Sequence, residues 1–374
     1  MSYEILNLLA TSHDVWHLAF QHSNLDMVPR KLDERIHVIP DKLFGVDTLL
    51  THLETVKPDL VILYNDVLVC SHYCNEILKL KEKNFKFYIY IDLTYEFENY
   101  IVQMNNSVVD KFICFNKTWE KHVISLGVPN HKVTHINHPR PGRPPIDLPV
   151  IESREFFKFK PNDFVILNLN RNSYRKCIDI TIDGFIKFFK QNGCLENLKL
   201  FLGCKFNYKG SYDIYKVIDT FSKIHGLSPQ EHNTLVNHSI MRFPQDSVDD
   251  STIHHLYNAC DVGLNTSCGE GWGLCNIEHQ CYSRPQIITK LKTYSEFFHS
   301  DSTYFLEPRT RLIAHGELDG VGGIMEMAGS DDVFQGMQFY YDNPVIREIH
   351  GERGKGVIDS MSNNFKNWGT INEP

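Results

Sequence analysis

The stretch "DVGLNTSCGEGWGLCNIEHQC", residues 261–281, decides how the chain is read. A strand-like run, "DVGLNT", passes into a glycine-rich loop and then into a helical pattern beginning around Gly273. Glycine has no Cβ, so the loop's backbone N–H groups can approach a ligand, and a helix start after such a loop attracts anions. Glu270 lies in the loop and Glu278 about a turn and a half inside the helix, on either side of the anion position. The E-x7-E spacing alone says little, because a chain of this size contains roughly one by chance. Two carboxylates flanking an anion do not bind it; they accept hydrogen bonds from hydroxyls on either side. Ribose, pyrophosphate and sugar have that layout. The alternative is a helix-start glutamate favoured by the dipole, with a solvated one beside it.

A second anion-directed element opens the same half. "ILNLNRNSYRKCID" places Arg171, Arg175 and Lys176 after a strand and at the next helix start, expected from about Arg175 to Gln191. Three cations there oppose the helix dipole, which weakens a purely structural explanation. Guanidinium forks and an ammonium suit a pyrophosphate whose charge grows as it departs. An exposed loop cluster of charges is the other reading.

Around these elements the chain alternates strands and helices. "YEILNLLA", "IHVIP", "DLVILYN", "FKFYIYID", "KFICFN" and "KVTHIN" read as strands in the first half, with "VDTLLTHLETV" and "CNEILKLKEK" as helices between them. In the second half "DFVILNLN", "NLKLFLG", "HSIMRFP", "DVGLNT" and "RPQIIT" are strands. Strands apolar on both faces and separated by helices indicate parallel sheets covered on both sides. The proline-rich run 137–150, "NHPRPGRPPIDLPV", is a stiff connection. The expected organisation is α/β: a Rossmann-like domain over 1–140, a hinge over 141–160, a second Rossmann-like domain over 161–345, and a helical tail over 346–374 packing back on the first domain. That tail is expected to break around Gly351 to Gly356. In such sheets ligands bind at the carboxyl ends of the strands, near a switch in strand order.

The length of 374 residues fits two domains, and 42% hydrophobic with 22% charged residues is ordinary for a globular chain. A net charge of -8 argues against a nucleic-acid partner, and the Lys79, Lys81, Lys83, Lys86 cluster reads as a solvated helix end. No apolar run reaches the ~20 residues of a transmembrane span, and no signal peptide is evident. Ten cysteines without a C-x-x-C pair read as buried thiols of a cytoplasmic protein.

The motifs, taken together, resemble the retaining glycosyltransferases of the GT-B fold, in particular glycosyltransferase family 4, whose two doubly wound domains face each other across a cleft. "LYNACDVGLNTSCGEGWGLCNIEHQCYSRPQIIT" is similar to that family's strand, E-G-F-G-L-x-x-x-E motif, helix and strand, with Trp272 for the usual Phe. "NRNSYRK" resembles its G-R-x-x-x-x-K segment, with Arg171 and Lys176 in the matching positions, and "LKTYSEFF" its loop approaching the donor. The resemblance covers most of residues 130 to 310. It implies a metal-independent hexosyl- or pentosyltransferase that uses a nucleotide-diphosphate sugar as co-substrate and no cofactor. Glu278 would then hold the ribose and Glu270 the transferred sugar. The backbone of Gly271, Trp272, Gly273 and Leu274, with Arg171 and Lys176, would hold the diphosphate, and Phe243 would stand where the main chain meets the base. The acceptor would be a glycan, a lipid-linked group or a protein.

The chain also departs from the pattern. Asn170 and Cys177 replace glycines, "ATSHDVWHLAF" replaces a glycine-rich loop, and Asp92 and Tyr95 stand where a histidine is usual. His13 and Asp14, in the loop after the expected first strand, are acceptor-side candidates with Asp92; a helix N-cap by Ser12 or Asp14 explains "HDVWH" equally. His13 and His17 have the i, i+4 spacing of a zinc pair on a helix, but no third ligand follows, and no metal is expected. A sugar-nucleotide epimerase, a phosphorylase and a non-catalytic nucleotide-sugar-binding scaffold are the other readings.

Overall fold

A computed structural model describes residues 2–19, 32–40, 45–96, 101, 104, 108–138, 145–146, 148–207, 210–243, 248–314, 322–361, 367–369 and 371. The chain forms two compact units. One comprises Met1–Gly142, Ala314–Ile324 and Ser362–Pro374; the other comprises Arg143–Ile313 and Met325–Met361. Half of the proline-rich connection, 139–144 and 147, lies outside the described residues.

The first unit opens with a helix, Ser2–Leu9, where the sequence suggests a strand over "YEILNLLA". The correction follows from spacing. Leu6, Leu9 and Ala10 share one face at helical intervals and pack on Val15 and Ile36. Strand β1 (Val15–Ala19) then pairs in parallel with β2 (Ile36–Pro40), with Trp16 opposite His37. "HDVWH" therefore contains no helix. His13 and Asp14 precede the first strand rather than follow it, and His17 lies within it, so the helical zinc spacing does not arise.

A parallel sheet follows, in the order β3 (Leu60–Asp66), β4 (Lys86–Asp92), β5 (Lys111–Cys114), β6 (Val133–His135). Phe87 to Ile91 are all buried, as the unbroken apolar run of β4 requires in a sheet covered on both faces. Helix Leu49–Val56 precedes β3, the helix Val67–Ile77 connects β3 to β4, and Lys117–Ser125 lies between β5 and β6. Helix Val67–Ile77 starts earlier than "CNEILKLKEK" suggests, because the Asp66 side chain accepts the Val69 N–H at 3.0 Å and caps it there. It ends at Ile77, leaving Lys79, Lys81 and Lys83 beyond it. Near the C-terminus Trp368 is fully buried, edge-on to Tyr90 at 4.8 Å.

The second unit is built on six parallel strands: β7 (Phe164–Asn168), β8 (Leu198–Leu202), β9 (Ile240–Arg242), β10 (Val262–Asn265), β11 (Gln286–Thr289) and β12 (Thr303–Leu306). Their spatial order is β9-β8-β7-β10-β11-β12, the doubly wound arrangement, and strand order reverses between β7 and β10. Phe185, Phe188 and Phe189 of helix Ile178–Gln191 pack on Ile166, Leu200 and Leu264 from the sheet. Val165, Leu167 and Phe201 bury against Leu256 and Tyr257 of helix Asp250–Ala259. Strands β13 (Thr310–Ala314) and β14 (Gly323–Met327) form a separate two-stranded ribbon. Among the described residues, no helix is long and apolar enough to cross a membrane.

The expected break at Gly351 to Gly356 is absent: one helix, Pro344–Ser360, runs through all three glycines. Two of them are packing positions. A Cβ at Gly351 would run into the Ser283 carbonyl, and one at Gly354 would crowd the Gln280 side chain, whereas Gly356 faces open space. Close approach, and not helix termination, explains these glycines. Gly351→Ala is expected to destabilise by about 1–3 kcal/mol through overpacking. Gly356→Ala is expected to stabilise by about 0.5–1 kcal/mol through helix propensity. Urea midpoints of the two variants should move in opposite directions.

Candidate functional site

The reversal between β7 and β10 brings two loops together, 169–177 and 266–273. Backbone and side chains stitch them tightly. The Cys268 N–H donates to the Arg175 carbonyl at 2.9 Å, and the Thr266 hydroxyl lies 2.9 Å from the carbonyls of both Lys176 and Cys177. The Arg175 guanidinium donates to the Gly269 carbonyl.

Arg175 and Lys176 precede the helix. Tyr174–Lys176 form a single tight turn, Cys177 adopts a left-handed conformation (φ 47°), and the helix begins at Ile178. A glycine would hold that backbone without strain. The Asn170 amide donates to Asn168 Oδ1 at 2.8 Å, so its side chain is taken up in local structure.

At the centre the Lys176 ammonium donates to Glu270 Oε1, and Arg175 stands 3.4 Å from Oε2. Both Glu270 and Lys176 are buried, at 7% and 8% exposure. Burial works against the Glu270 carboxylate, but Lys176, Arg175 and hydrogen bonds from Lys176 and Ser267 outweigh it and hold its pKa down to about 2. Burial also pulls Lys176 below the ordinary lysine value, with Glu270 opposing and Arg175 adding to the effect. The Glu270 shift favours the ion pair and the Lys176 shift works against it, and the ionised pair is the state the geometry supports, because two cations face one carboxylate. The cluster is therefore left with net positive charge and suits an anion.

The rest of the loop is held from below. Gly273 is left-handed (φ 84°), and a Cβ there would strike the Tyr294 ring at 2.5 Å. Leu274–Gln280 follows as a helix, close to its expected start. Trp272 is buried 4.4 Å from Phe297, and the Thr293 hydroxyl donates to the Gly271 carbonyl at 2.8 Å. These last contacts come from the "LKTYSEFF" segment. Beneath Glu270 runs a chain of buried amides. Asn265 Nδ2 reaches Glu270 Oε1 (3.4 Å), Tyr294 Oη (2.9 Å) and Asn276 Oδ1 (2.8 Å); Asn276 Nδ2 donates to Gln286 Oε1 at 2.8 Å. Glu278, half-buried on the short helix, accepts the Tyr257 hydroxyl at 2.8 Å.

Of the expected cations and carboxylates, the structure brings Lys176, Arg175 and Glu270 together. Arg171 is on the same loop but exposed, and it makes no ion pair among the described residues. Phe243 follows β9 and packs edge-on to Phe201 at 4.9 Å, within the second unit's core. In the first unit Asp92 ends β4, in register with Asp66 of β3. Asp14 is exposed, accepts from Trp16 Nε1 and lies 3.3 Å from His37 Nε2, while His13 sits in the turn before β1. Among the described residues, no group of three His, Cys, Asp or Glu side chains could hold a metal ion. Sequence reasoning missed Asn265, Tyr257 and Tyr294. A polar residue ending the buried strand β10 was a signal for Asn265; a tyrosine on an apolar helix face was no signal for Tyr257.

No family model matches the sequence, and no curated protein matches it. Solved structures do. Sucrose-phosphate synthase from Thermosynechococcus elongatus superposes with a TM-score of 0.68 at 14% identity, covering 98% of this chain and 90% of that one. Anabaena HepE, in complex with UDP-glucose, gives 0.65 at 14% identity over 90% and 85% of the two chains. A glycosyltransferase from Rickettsia africae gives 0.62 at 13% identity over 90% and 83%. The chain has the GT-B fold.

The pH dependence of the ion pair follows from the depressed Glu270 pKa. Its contribution is complete above the ordinary value of 4.5 and is lost as pH falls through about 2. That interval corresponds to about 3 kcal/mol. Glu270→Gln should therefore be destabilised by about this amount at neutral pH, and its deficit should shrink as pH falls toward 2. Urea unfolding of both proteins from neutral pH down to about pH 3 checks the convergence.

Proposed function

We propose that the protein is a retaining glycosyltransferase, related to glycosyltransferase family 4, that moves a hexosyl or pentosyl group from a nucleotide-diphosphate sugar. One observation carries the reading: the buried Lys176, Arg175 and Glu270 cluster at the reversal of strand order, where an open α/β sheet binds its ligand. The fold neighbours support it, since HepE was crystallised with UDP-glucose and the Rickettsia africae protein is named a glycosyltransferase.

In this reading the diphosphate lies against Lys176, with Arg171 reaching it from the solvent side and the Gly271 to Leu274 backbone below. Arg171 is the one cation of the three with no internal partner among the described residues, so it is free to turn to a ligand. Glu270, kept ionised, accepts hydrogen bonds from hydroxyls of the transferred sugar, and Glu278 accepts them from the ribose. A carboxylate with a pKa near 2 does not serve as a general acid. The bond from the sugar's anomeric carbon to the diphosphate breaks, and the acceptor hydroxyl attacks from the same face. Its proton passes to the departing phosphate oxygen. The cations stabilise the leaving charge, so the chemistry proceeds without a metal. The acceptor is a glycan, a lipid-linked group or a protein, and His13, Asp14 and Asp92 are its candidate contacts. The ten cysteines are free thiols, the form kept in the cytoplasm, which supports that compartment.

Arg171→Ala separates binding from stability. Because Arg171 is exposed and has no ion pair among the described residues, its loss should leave the unfolding free energy within about 0.5 kcal/mol of wild type. It should weaken binding of the preferred UDP-, GDP- or ADP-sugar about tenfold. Calorimetry and thermal unfolding together test this. Retention of anomeric configuration by NMR, with turnover undiminished by EDTA, is the expected outcome for the mechanism. Inverted product or loss of turnover on chelation would sink it.

A further inference from the structure

We propose that Tyr257 is a positioning residue that gives this chain its selectivity for a ribonucleotide over a 2′-deoxyribonucleotide. The inference rests on the reading that Glu278 meets the ribose. A glutamate carboxylate swings about several single bonds, whereas a ribose diol needs it in one orientation. Tyr257 supplies that constraint from a different element, the helix Asp250–Ala259, by donating its hydroxyl to Glu278 Oε2 at 2.8 Å.

The tyrosine itself has little freedom. Its ring is 1% exposed, stacks on His279 with centroids 5.3 Å apart and planes 23° from parallel, and lies 5.4 Å from Tyr282. His279 is in turn buried, and Gln286 Nε2 stands 3.4 Å from its Nδ1. Burial, with Arg284 adding, pushes the His279 pKa down to about 3, so the ring Tyr257 stacks on is neutral. Gln286 also accepts from Asn276, which accepts from Asn265, whose amide reaches Glu270. The support under Tyr257 is thus continuous with the support under the other glutamate. A hydroxyl held this firmly fixes the carboxylate it bonds, and a fixed carboxylate distinguishes a sugar that carries the 2′-hydroxyl from one that lacks it.

Isothermal titration calorimetry of the full chain with uridine, guanosine and adenosine diphosphates and their 2′-deoxy counterparts tests the assignment. Wild type should bind the ribo form of its preferred base about tenfold more tightly than the deoxy form. Tyr257→Phe should reduce that ratio to within about twofold by weakening the ribo form alone. Glu278→Gln should do the same, and adding Tyr257→Phe to it should change the ratio no further. Equal weakening of both forms by Tyr257→Phe, or no weakening, overturns the inference while the ribose reading stands. A Glu278→Gln protein that keeps the tenfold ratio overturns it whether or not Tyr257→Phe folds. A wild type that never discriminates removes the ribose reading, and the inference with it.

Discussion

The buried pair of Lys176 and Glu270 is the interaction on which the second unit's loops depend. Each group alone would pay a large desolvation cost, and breaking such a pair leaves a charge stranded in low dielectric. The pair forms only because β7 and β10 are neighbours across the reversal of strand order. The chain accepts local strain to make it: Cys177 turns left-handed immediately after Lys176. Arg175 then divides its guanidinium between the Gly269 carbonyl and the Glu270 carboxylate, joining the two loops a second time.

A charged pair in a loop needs a rigid floor, and polar packing provides it. Asn265, Asn276 and Gln286 pass hydrogen bonds along beneath Glu270, and Tyr294 fills the space that only a glycine at 273 leaves open. Satisfied buried networks of this kind stiffen their surroundings, because each member has one arrangement that leaves no group unpaired. The loop backbone at Gly271 is held by Thr293, so backbone and side chains share the same support.

Much of this was legible before the structure. Apolar runs located β4, β5, β7, β8, β10 and β11, because a strand buried on both faces has little other composition available. The glycines around Glu270 marked a backbone-lined loop, and Gly273 is left-handed as such a loop requires. The errors have physical causes. "YEILNLLA" is apolar enough for a strand, but only its partners Val15 and Ile36 show that the helical face is the one that buries. Gly351 and Gly354 look like helix breakers until the Ser283 carbonyl and Gln280 are seen against them. A glycine's sequence position does not say whether it frees the backbone or admits a neighbour.

The sequence by itself determined which residue types stand beside which strands: cations after β7, a glycine loop with a glutamate after β10, a second glutamate on the next helix. These are local facts, set by spacing along the chain. The tertiary structure alone decided that Lys176 and Arg175 meet Glu270, that Arg171 faces solvent, and that Tyr257 bonds Glu278. Those contacts join residues 94, 95 and 21 positions apart. Strand order and helix packing bring them together, and neither is written in the local spacing of any one segment.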